Sequence, residues 1–580
     1  MNPARTPVGS SATPRVRGPN ARLGIRRRAS LAAWVGLVAS AAFAAAADTE
    51  LAASITRGEV GYLAHCTICH GVTGLGVKGT YPPLAGSDWL AANREGAIQA
   101  VVGGLKGEIR VLGETYSGQM PAIIIDDQAV ADTLTYVFNQ SANPGGRVTV
   151  EEVKAARQRT SFRTFEALKA AGDFRPLPKA PEGFILSELA RLPDFATRLA
   201  SDGKGKKLFV LGLTGTVWRF DLVSGSFKTL FTPKDLALEN AKEVQALGMT
   251  LDPQGRLLVT VNRRVDELPL VQNEVTIFRT SAFDSENDPV APQPWFRTRY
   301  PQGIGGYNHG VSHLAFGPDG MLYVASGART DGGETGSLPN YGKMGEVDLT
   351  ACIWRLDPKA VEPKVEVIAR GIRNAFTFAW DDKGNLFTVS NGPNAHAPEE
   401  MDYIVPPQPG AAPRHHGFPY QFGDVPATRK WYPHTPEPLP GVEFVKPVVN
   451  LGPAGRLGDE PMSTFTPHSS PVGLVWLGNE WPASVRNSFL LGRFGNMIPG
   501  ADRNDAGFDM LSLRMERQPD GSWAVRTTTF LQPLARPIDI HLAGPGRLFI
   551  LEYTRVTDFK SRIGQLPGRI LELKVAPASR

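Results

Sequence analysis

Two cysteines and a histidine lie close together near the start of the chain, in the order Cys66-Thr67-Ile68-Cys69-His70. Two thiols at this spacing can each form a thioether with a heme vinyl group, while the adjacent imidazole binds one side of the iron. A redox dithiol or half of a zinc site uses the same spacing. A zinc site needs a second pair of ligands, and the remaining cysteine is Cys352 alone. The motif therefore predicts a c-type heme attached to Cys66 and Cys69, with His70 as an iron ligand.

A heme iron of this kind usually has a second axial ligand, and Met120 follows His70 by 50 positions. A thioether ligand raises the reduction potential of the iron. Methionine is also a common core residue, so its type alone leaves both roles open. His65, directly before Cys66, is the competing ligand. Its place beside the attachment loop is poor for reaching the opposite face of the heme, and we expect it at the surface.

Three segments near this motif resemble the monoheme class I cytochrome c domains attached to bacterial quinoprotein dehydrogenases. They are Tyr81–Gly86, the pair Met120-Pro121 and Asn143–Thr149. The resemblance covers about residues 58–157 and implies an all-α cytochrome c domain, which we place at 48–147. It also favours Met120 as the second iron ligand.

The first 47 residues have the composition of an export signal. They contain seven arginines and no acidic residue, and the apolar run Leu31–Ala47 ends in the small residues Ala45–Ala47. We expect cleavage near Ala47 and a periplasmic protein, exported by general secretion although Arg27-Arg28 could suggest a twin-arginine signal. An uncleaved anchor with membrane association is the alternative, and 17 alanine-rich residues are marginal for a membrane span.

Length and charge exclude several classes of protein. The chain has 580 residues, 42% of them hydrophobic, which is enough for two or more cores. Without the seven arginines of the first 47 residues, the formal net charge of +5 becomes −2. This balance argues against nucleic acid as a partner. Cys352 has no thiol left to pair with, so an exported protein would have no disulfide framework.

Helical patterns follow the heme motif. Ala129–Asn139 has apolar residues on one face, which we expect to pack across the N-terminal helix around Gly58–Ala64. Val150–Lys169 is charged and has few apolar anchors, and the proline-rich segment Pro176–Pro181 follows it. We interpret residues 148–181 as a connector.

From about Phe184 onward, short apolar runs alternate with turns, which is typical of β-strands. Several apolar runs come directly after a turn rich in Asp, Gly or Pro: Asp252–Gly255, Pro318–Gly320, Asp381–Gly384 and Gly544–Gly546. The first three are about sixty to seventy residues apart, which suits a repeated four-stranded unit. A single β-sandwich of this length would be very large. We therefore predict an all-β six-bladed propeller over 182–577, in which the final strand, Gly568–Leu573, completes the first blade and closes the ring.

The segment Asn308–Val324 resembles the active-site strand of the soluble glucose/sorbosone dehydrogenases, six-bladed propellers that use pyrroloquinoline quinone (PQQ). Other segments resemble the same family in the same order: Gly371–Asn374, Asn391–Pro393, Glu399–Asp402, Gly417–Pro419, Ser470–Gly473 and Arg536–Asp539. Each match is short, and the ordered set spans about residues 180–575.

The resemblance assigns roles to individual residues. His309 matches the general base, a sensible proton acceptor because imidazole titrates near neutral pH. PQQ is a planar tricarboxylate that needs guanidinium groups and a cation. Its expected ligands are Arg373, Asn374 and Arg536, with Arg493 nearby because Gly495 stands where the family has a lysine. The carbonyls of Gly392 and Pro393 match ligands of Ca²⁺. Glu399, Glu400 and Asp402 match an acidic cluster linked to calcium or to structure, of which we assign Glu400 to the metal.

The chain also departs from the family pattern. Ala375 and Phe376 follow Arg373-Asn374 where the family has proline and glutamine, Ile538 replaces a second arginine, and His313 stands at a position that is usually arginine.

These observations predict a quinohemoprotein dehydrogenase that oxidises a sugar, polyol or alcohol and passes electrons to its own heme and then to a periplasmic or membrane acceptor. The alternative is an electron-transfer cytochrome with a non-catalytic propeller as a docking module. A propeller hydrolase that uses the acidic cluster is a third reading, for which we find no nucleophile.

Overall fold

A computed structural model describes residues 48–577 except 121, 124, 141, 160–174, 268, 284–287, 290–291, 304–307, 336–344, 395–396, 424–435, 439, 458–459, 462–463, 497–506 and 557–566. The chain divides into two compact units, Met1–Ala53 and Ser54–Arg580. In the first unit, the described residues 48–53 are helical, and the predicted signal peptide lies outside the described residues. The second unit contains both the heme motif and all the sheets. No helix in the described part of the chain is long and apolar enough to cross a membrane.

The N-terminal part is mainly helical. Its helices are α1 (48–65), α2 (Thr67–His70), α3 (Asp88–Ala92), α4 (Arg94–Gly103), α5 (Asp127–Phe138) and α6 (Val150–Arg159). Four short strands lie between α4 and α5: β1 (Leu105–Lys106) pairs with β4 (Gln119–Met120), and β2 (Ile109–Val111) pairs with β3 (Glu114–Tyr116).

Helices α1 and α5 cross in close contact at two glycines. A Cβ atom at Gly58 would lie 1.8 Å from the carbonyl oxygen of Asp132, and one at Gly61 would lie 2.0 Å from Oγ1 of Thr133. Only glycine therefore permits this approach. Next to the crossing, the Tyr62 and Tyr136 rings pack with centroids 5.4 Å apart. The packing predicted for these two helices is confirmed.

Helix α6 is attached to the cytochrome core. At its start, the backbone N–H of Thr149 donates to the Glu152 carboxylate and the Glu152 N–H donates to the Thr149 hydroxyl, which is a capping box. Val153 and Ala156 are fully buried in the same apolar cluster as α4 and α5. The segment predicted as a connector from residue 148 thus contains a helix packed on the first domain, and its residues 160–174 lie outside the described part.

The rest of the chain forms six antiparallel sheets among the described residues. Sheet 1 contains β6 (Ala196–Ser201), β7 (Lys207–Gly212), β8 (Val217–Asp221) and β9 (Ser226–Phe231), and sheet 2 contains β10 (Lys242–Leu251), β11 (Arg256–Val265), β12 (Gln272–Ala282) and β13 (Gln293–Pro301). Sheet 3 contains β14 (Val311–Phe316), β15 (Leu322–Ser326), β16 (Cys352–Leu356) and β17 (Glu366–Arg370), to which β21 (Arg414–His415) adds in parallel.

The remaining sheets follow the same order. Sheet 4 contains β18 (Ala375–Trp380), β19 (Leu386–Ser390) and β20 (Glu400–Ile404). Sheet 5 contains β25 (Pro471–Leu477), β26 (Ser488–Arg493), β27 (Asp509–Arg517) and β28 (Trp523–Leu531), with β22 (Val449–Asn450) on its edge. A small hairpin, β23 (Arg456–Leu457) and β24 (Glu460–Pro461), precedes it. Sheet 6 contains β29 (Pro537–Leu542), β30 (Arg547–Thr554), β31 (Pro567–Val575) and β5 (Phe184–Arg191).

The first strands of the six sheets contact one another in a closed ring, in the order β6, β10, β14, β18, β25, β29 and back to β6. This arrangement is a six-bladed β-propeller, and the predicted fold class is confirmed. The predicted turns are present: at Asp252 and at Asp381 the carboxylate accepts backbone N–H groups of the same turn, and the glycine three residues later has a positive φ.

The ring closes differently from the prediction. The final strand, β31, does not complete the first blade; it pairs with β5, so the N-terminal strand of the propeller forms the outer edge of the sixth blade. Arg569 of β31 explains this pairing, because its guanidinium is buried and donates to Glu188 of β5 as well as to Glu552 of β30. The resemblance between the first and last blades could not distinguish the two closures.

Candidate heme and cofactor sites

The heme motif lies at the start of the short helix α2. His70 is buried, and its Nδ1 lies 2.9 Å from the carbonyl oxygen of Pro82. A carbonyl can only accept a hydrogen bond, so Nδ1 carries the hydrogen and Nε2 keeps the lone pair that an iron ligand needs. The residues present therefore fit a covalently attached heme with His70 as its axial ligand.

Met120 packs against the same apolar cluster as Cys66 and Leu84. It is half-buried and pairs with Leu105 through the short ladder of β1 and β4. The fold thus brings Met120 into the surroundings of the heme motif, across 50 positions of sequence. His65 is exposed, as expected for a residue outside the ligand set.

The two thiols of the motif are both partly buried. Burial raises the pKa of Cys66 to about 12, with a further contribution from Cys69, whose own pKa is raised to about 11 by burial. Both groups are therefore neutral thiols near pH 7.

The predicted cofactor residues of the propeller lie at one end of its central ring. His309 precedes β14, Asn374 precedes β18 and Arg536 precedes β29, and these are inner strands of three blades. Backbone hydrogen bonds link the loops around these residues. The Ala328 N–H donates to the carbonyl of Arg373 at 2.6 Å, and the Asn391 N–H donates to the carbonyl of Asn374 at 3.1 Å.

His309 is half-buried, and its backbone N–H and ring Nδ1 both lie 3.0 Å from the carbonyl oxygen of Ala328. Nδ1 therefore carries the hydrogen, and Nε2 is the basic nitrogen. A Cβ atom on Gly327 would lie 2.5 Å from Cβ of His309 and 2.9 Å from Oδ1 of Asn374. His309 and Asn374 thus approach each other across a glycine that leaves space for both.

Arg373 is buried and makes four hydrogen bonds within the protein. Nε and Nη2 donate to the carbonyl and carboxylate of Asp331, and Nη1 donates to the carbonyls of Asn391 at 3.0 Å and Gly392 at 2.7 Å. These bonds leave a single N–H on Nη2 for a ligand. Asp331 was not predicted as a site residue, because nothing in its local sequence pattern distinguishes it from an ordinary loop aspartate.

The other two arginines are also held by the protein. Arg493 forms a bidentate pair with Asp509, at 2.8 and 2.6 Å, and its Nη1 is buried without a hydrogen-bond partner among the described residues. Arg536 lies between the rings of Phe494 and Phe508 and donates to the carbonyl of Asn496 at 3.0 Å. Arg536 therefore stabilises the 494–496 segment.

The acidic cluster divides into two environments. Glu399 accepts a hydrogen bond from Ser469, and burial raises its pKa to about 8, opposed by that bond and by the charges of Arg493 and Arg373. Burial and the charge of Asp402 raise the pKa of Glu400, whose carboxylate accepts the Gly423 N–H. Asp402 in turn pairs with His416 at 3.0 Å. In the described part of the chain, no three His, Cys, Asp or Glu side chains form a metal site.

The residues fit PQQ in part. Arg493 Nη1 and Asn391 Oδ1 are buried polar atoms without hydrogen-bond partners in the described part, and a polar ligand would satisfy both. The calcium ligands fit less well. The Gly392 carbonyl accepts from the Arg373 guanidinium at 2.7 Å, and that charge would repel a cation bound to the same oxygen. The calcium assignments of Gly392, Pro393 and Glu400 stay predictions.

A buried arginine joins the inner strands of four blades. Arg198 is fully buried and donates to the carbonyls of Leu247 and Phe376 and to the Asp539 carboxylate. The ring of His313 packs edge-on against Phe378, and burial together with the Arg198 charge lowers the pKa of His313 well below its ordinary value. Arg198 and Asp539 were not predicted as a pair, although an arginine inside the apolar strand β6 was a signal of an unusual environment.

Family models match both parts of the chain. The model described as "Domain of unknown function (DUF7133)" matches residues 265–556, and the cytochrome c model matches residues 55–141. The chain belongs to the DUF7133 family, with a cytochrome c at its N-terminal end. The DUF7133 match runs from the second blade to the sixth and includes His309, Arg373 and Asn374.

Known proteins are similar to each part separately. Cytochrome c-552 of Thermus thermophilus is 35% identical over 104 residues, which cover 16% of this chain and 79% of that protein. The prediction of a cytochrome c is confirmed. Among solved structures, the PQQ-bound aldose sugar dehydrogenase of Streptomyces coelicolor covers 68% of this chain and 100% of its own at 20% identity and a TM-score of 0.45. The soluble aldose sugar dehydrogenase of Escherichia coli, in the apo-form, covers the same shares at 14% identity and a TM-score of 0.47.

Proposed function

We propose that this protein is an exported quinohemoprotein dehydrogenase that oxidises a sugar, polyol or alcohol and passes the electrons to its own heme. The observation that carries the proposal is the close approach of His309 and Asn374 across Gly327, at the end of the propeller ring. Both residues belong to the compact unit that also contains the heme motif. The order of family-like segments in the sequence supports the same conclusion.

The chain's own residues have separate tasks in this proposal. His309 accepts the hydroxyl proton of the substrate at Nε2, because Nδ1 is bonded to Ala328. Asn374, Arg493 and the remaining N–H of Arg373 would bind and orient the cofactor. When bound, PQQ supplies an acceptor for the hydride that leaves the substrate carbon. Cys66, Cys69 and His70 would hold the heme.

Each turnover would remove two electrons and two protons from the substrate, one proton from the hydroxyl oxygen and the other hydrogen from the carbon as hydride. A single heme would carry one electron at a time, so it would have to be reoxidised between the two transfers. The oxidant is an external one-electron acceptor, such as another heme protein or a membrane oxidase. Residues 1–47, with their signal-like composition, support a periplasmic location for this exchange.

A visible spectrum of the oxidised protein tests the proposal. PQQ is added with and without Ca²⁺, followed by a panel of aldoses, polyols and primary alcohols. The proposal predicts reduction of the heme only when PQQ and a substrate are both present. A requirement for Ca²⁺ would support the predicted calcium site.

A second candidate function is a docking module for the cytochrome in which the quinone site has decayed. The contacts of two predicted cofactor arginines favour this alternative. Arg373 uses most of its N–H donors in bonds within the protein, and Arg536 donates to the backbone carbonyl of Asn496. Titration of the PQQ-free protein with PQQ separates the two candidates. Saturable binding supports the dehydrogenase, and no saturable binding supports the docking module.

A further inference from the structure

The heme motif touches the propeller at the loop that carries the predicted cofactor-binding carbonyls. The side-chain Nδ2 of Asn394 donates to the carbonyl oxygen of Ile68 at 3.2 Å. Ile68 lies between the two heme cysteines, and Asn394 lies two residues after Gly392. The hydrogen bond therefore joins two distant parts of the chain, 326 positions apart, at the places where each would hold its cofactor.

Asn394 is itself fixed to the propeller site. Its backbone N–H donates to Oδ1 of Asp331 at 3.1 Å, and the same oxygen accepts from Nη2 of Arg373 at 2.6 Å. Arg373 also holds the carbonyls of Asn391 and Gly392. One ion pair thus orders the whole 391–394 loop, with the Asn394 side chain directed at the heme motif.

An apolar contact also joins the cytochrome to the propeller. Val271, in the loop before β12, is buried in the apolar cluster of the cytochrome together with Tyr62 and Leu63. The cytochrome therefore contacts loops of the second and fourth blades, and Asn394 supplies a polar contact from the loop of the predicted quinone site.

We propose that Asn394 is a positioning residue for electron transfer, and that its hydrogen bond to Ile68 holds the heme loop against the quinone site. The proposal rests on the function proposed above. Cys66 and Cys69 would hold the heme at this loop, which the contact keeps next to the loop of Gly392. Electrons that leave the quinone site one at a time would then pass to the heme across this contact rather than through solvent.

The test compares two electron acceptors in the full-length holoprotein. Substrate-driven reduction of the protein's own heme is followed by stopped flow, and reduction of dichlorophenolindophenol, a dye that takes electrons directly from a reduced quinone, is followed separately. Asn394→Ala should slow heme reduction about tenfold or more and leave dye reduction unchanged. Asn479→Ala, which removes an exposed asparagine that pairs only with Asn487 in the described structure, should change neither rate.

A second measurement does not depend on turnover. In PQQ-free protein, Asn394→Ala should increase hydrogen–deuterium exchange in peptides that cover residues 62–71 and 391–394, whereas Asn479→Ala should leave both peptides unchanged.

The outcomes separate this inference from the proposed function. If wild-type protein reduces neither its heme nor the dye with PQQ, the proposed function fails, and the exchange measurement still decides whether Asn394 holds the heme loop. Unchanged exchange in Asn394→Ala would overturn the contact. Equal loss of heme and dye reduction would show a defect of the quinone site and would overturn the positioning role.

Discussion

The two histidines with predicted functional roles, His70 and His309, make the same kind of hydrogen bond. His70 and His309 each direct Nδ1 at a backbone carbonyl, that of Pro82 in the cytochrome and that of Ala328 in the propeller. In both cases the carbonyl selects the tautomer with its lone pair on Nε2. The backbone, rather than a carboxylate, therefore fixes the tautomer of each residue, whose predicted roles are to bind iron and to accept a proton.

The role of His309 is testable by its removal. His309→Ala should reduce substrate-driven heme reduction by about 10²- to 10⁴-fold, the usual contribution of a general base, while PQQ still binds. Stopped-flow absorbance of the heme and a PQQ titration measure the two effects. His541→Gln is the control. His541 is the second-last residue of β29, whereas the predicted site lies at the start of this inner strand. Turnover that survives in His309→Ala would assign the base to another residue.

The axial role of Met120 predicts a change in potential. Met120→Ala should lower the reduction potential of the heme, because loss of a thioether ligand destabilises Fe(II) relative to Fe(III). Spectroelectrochemical titration measures the potential directly. Met321→Ala, which removes a half-buried methionine from the propeller, should leave it unchanged. An unaltered potential in Met120→Ala would show that another residue binds the iron.

At the scale of elements, the sequence was most informative where a pattern is local. The crossing of α1 and α5 and the Asp turns before second strands were predicted because spacing and glycine placement determine them. The partners of Arg373 and Arg536 could not be predicted, because each guanidinium binds groups that lie 18 to 42 positions away in sequence. Residue type therefore indicated the cofactor arginines, but it could not show how many of their donors the protein itself uses.

Asp132 of α5 makes the helix crossing sensitive to acid. Burial alone would raise its pKa, but hydrogen bonds from Arg57, Ser54 and Gln128 hold the pKa below its ordinary value of 3.8. The ionised carboxylate therefore stabilises the fold above this value, and the stabilisation is lost as the pH falls through and below it.

Substitution measures that contribution. Asp132→Asn should cost about 1–3 kcal/mol near pH 7, and the cost should shrink as the pH approaches 3. Urea unfolding followed by heme absorption at several pH values gives both numbers. Asp382→Asn, at an exposed turn of the fourth blade, should show neither effect. A cost that is independent of pH would mean that the carboxylate charge contributes nothing.

At the scale of the whole molecule, two kinds of contact hold the ring together. The outer contact is the pairing of β5 with β31, which joins the first strand of the propeller to the last. The inner contact is Arg198, which extends from the first blade to the second, fourth and sixth through Leu247, Phe376 and Asp539. The repeat pattern predicted six blades, but it carried no information about this side chain, because contacts across a central channel leave no period in the sequence.

Removal of Arg198 should therefore destabilise the propeller as a whole. Arg198→Met leaves the buried Asp539 carboxylate without its cation, and breaking a buried pair in this way costs about 3–5 kcal/mol. Urea unfolding followed by tryptophan fluorescence measures the loss. The double variant Arg198→Met/Asp539→Leu should recover part of it, since no uncompensated charge remains. Arg526→Met breaks an exposed pair with Glu516 and should cost less than about 1 kcal/mol. If the double variant is as unstable as the sum of its single variants, the hydrogen bonds to the carbonyls of Leu247 and Phe376, rather than the ion pair, are the stabilising contacts of Arg198.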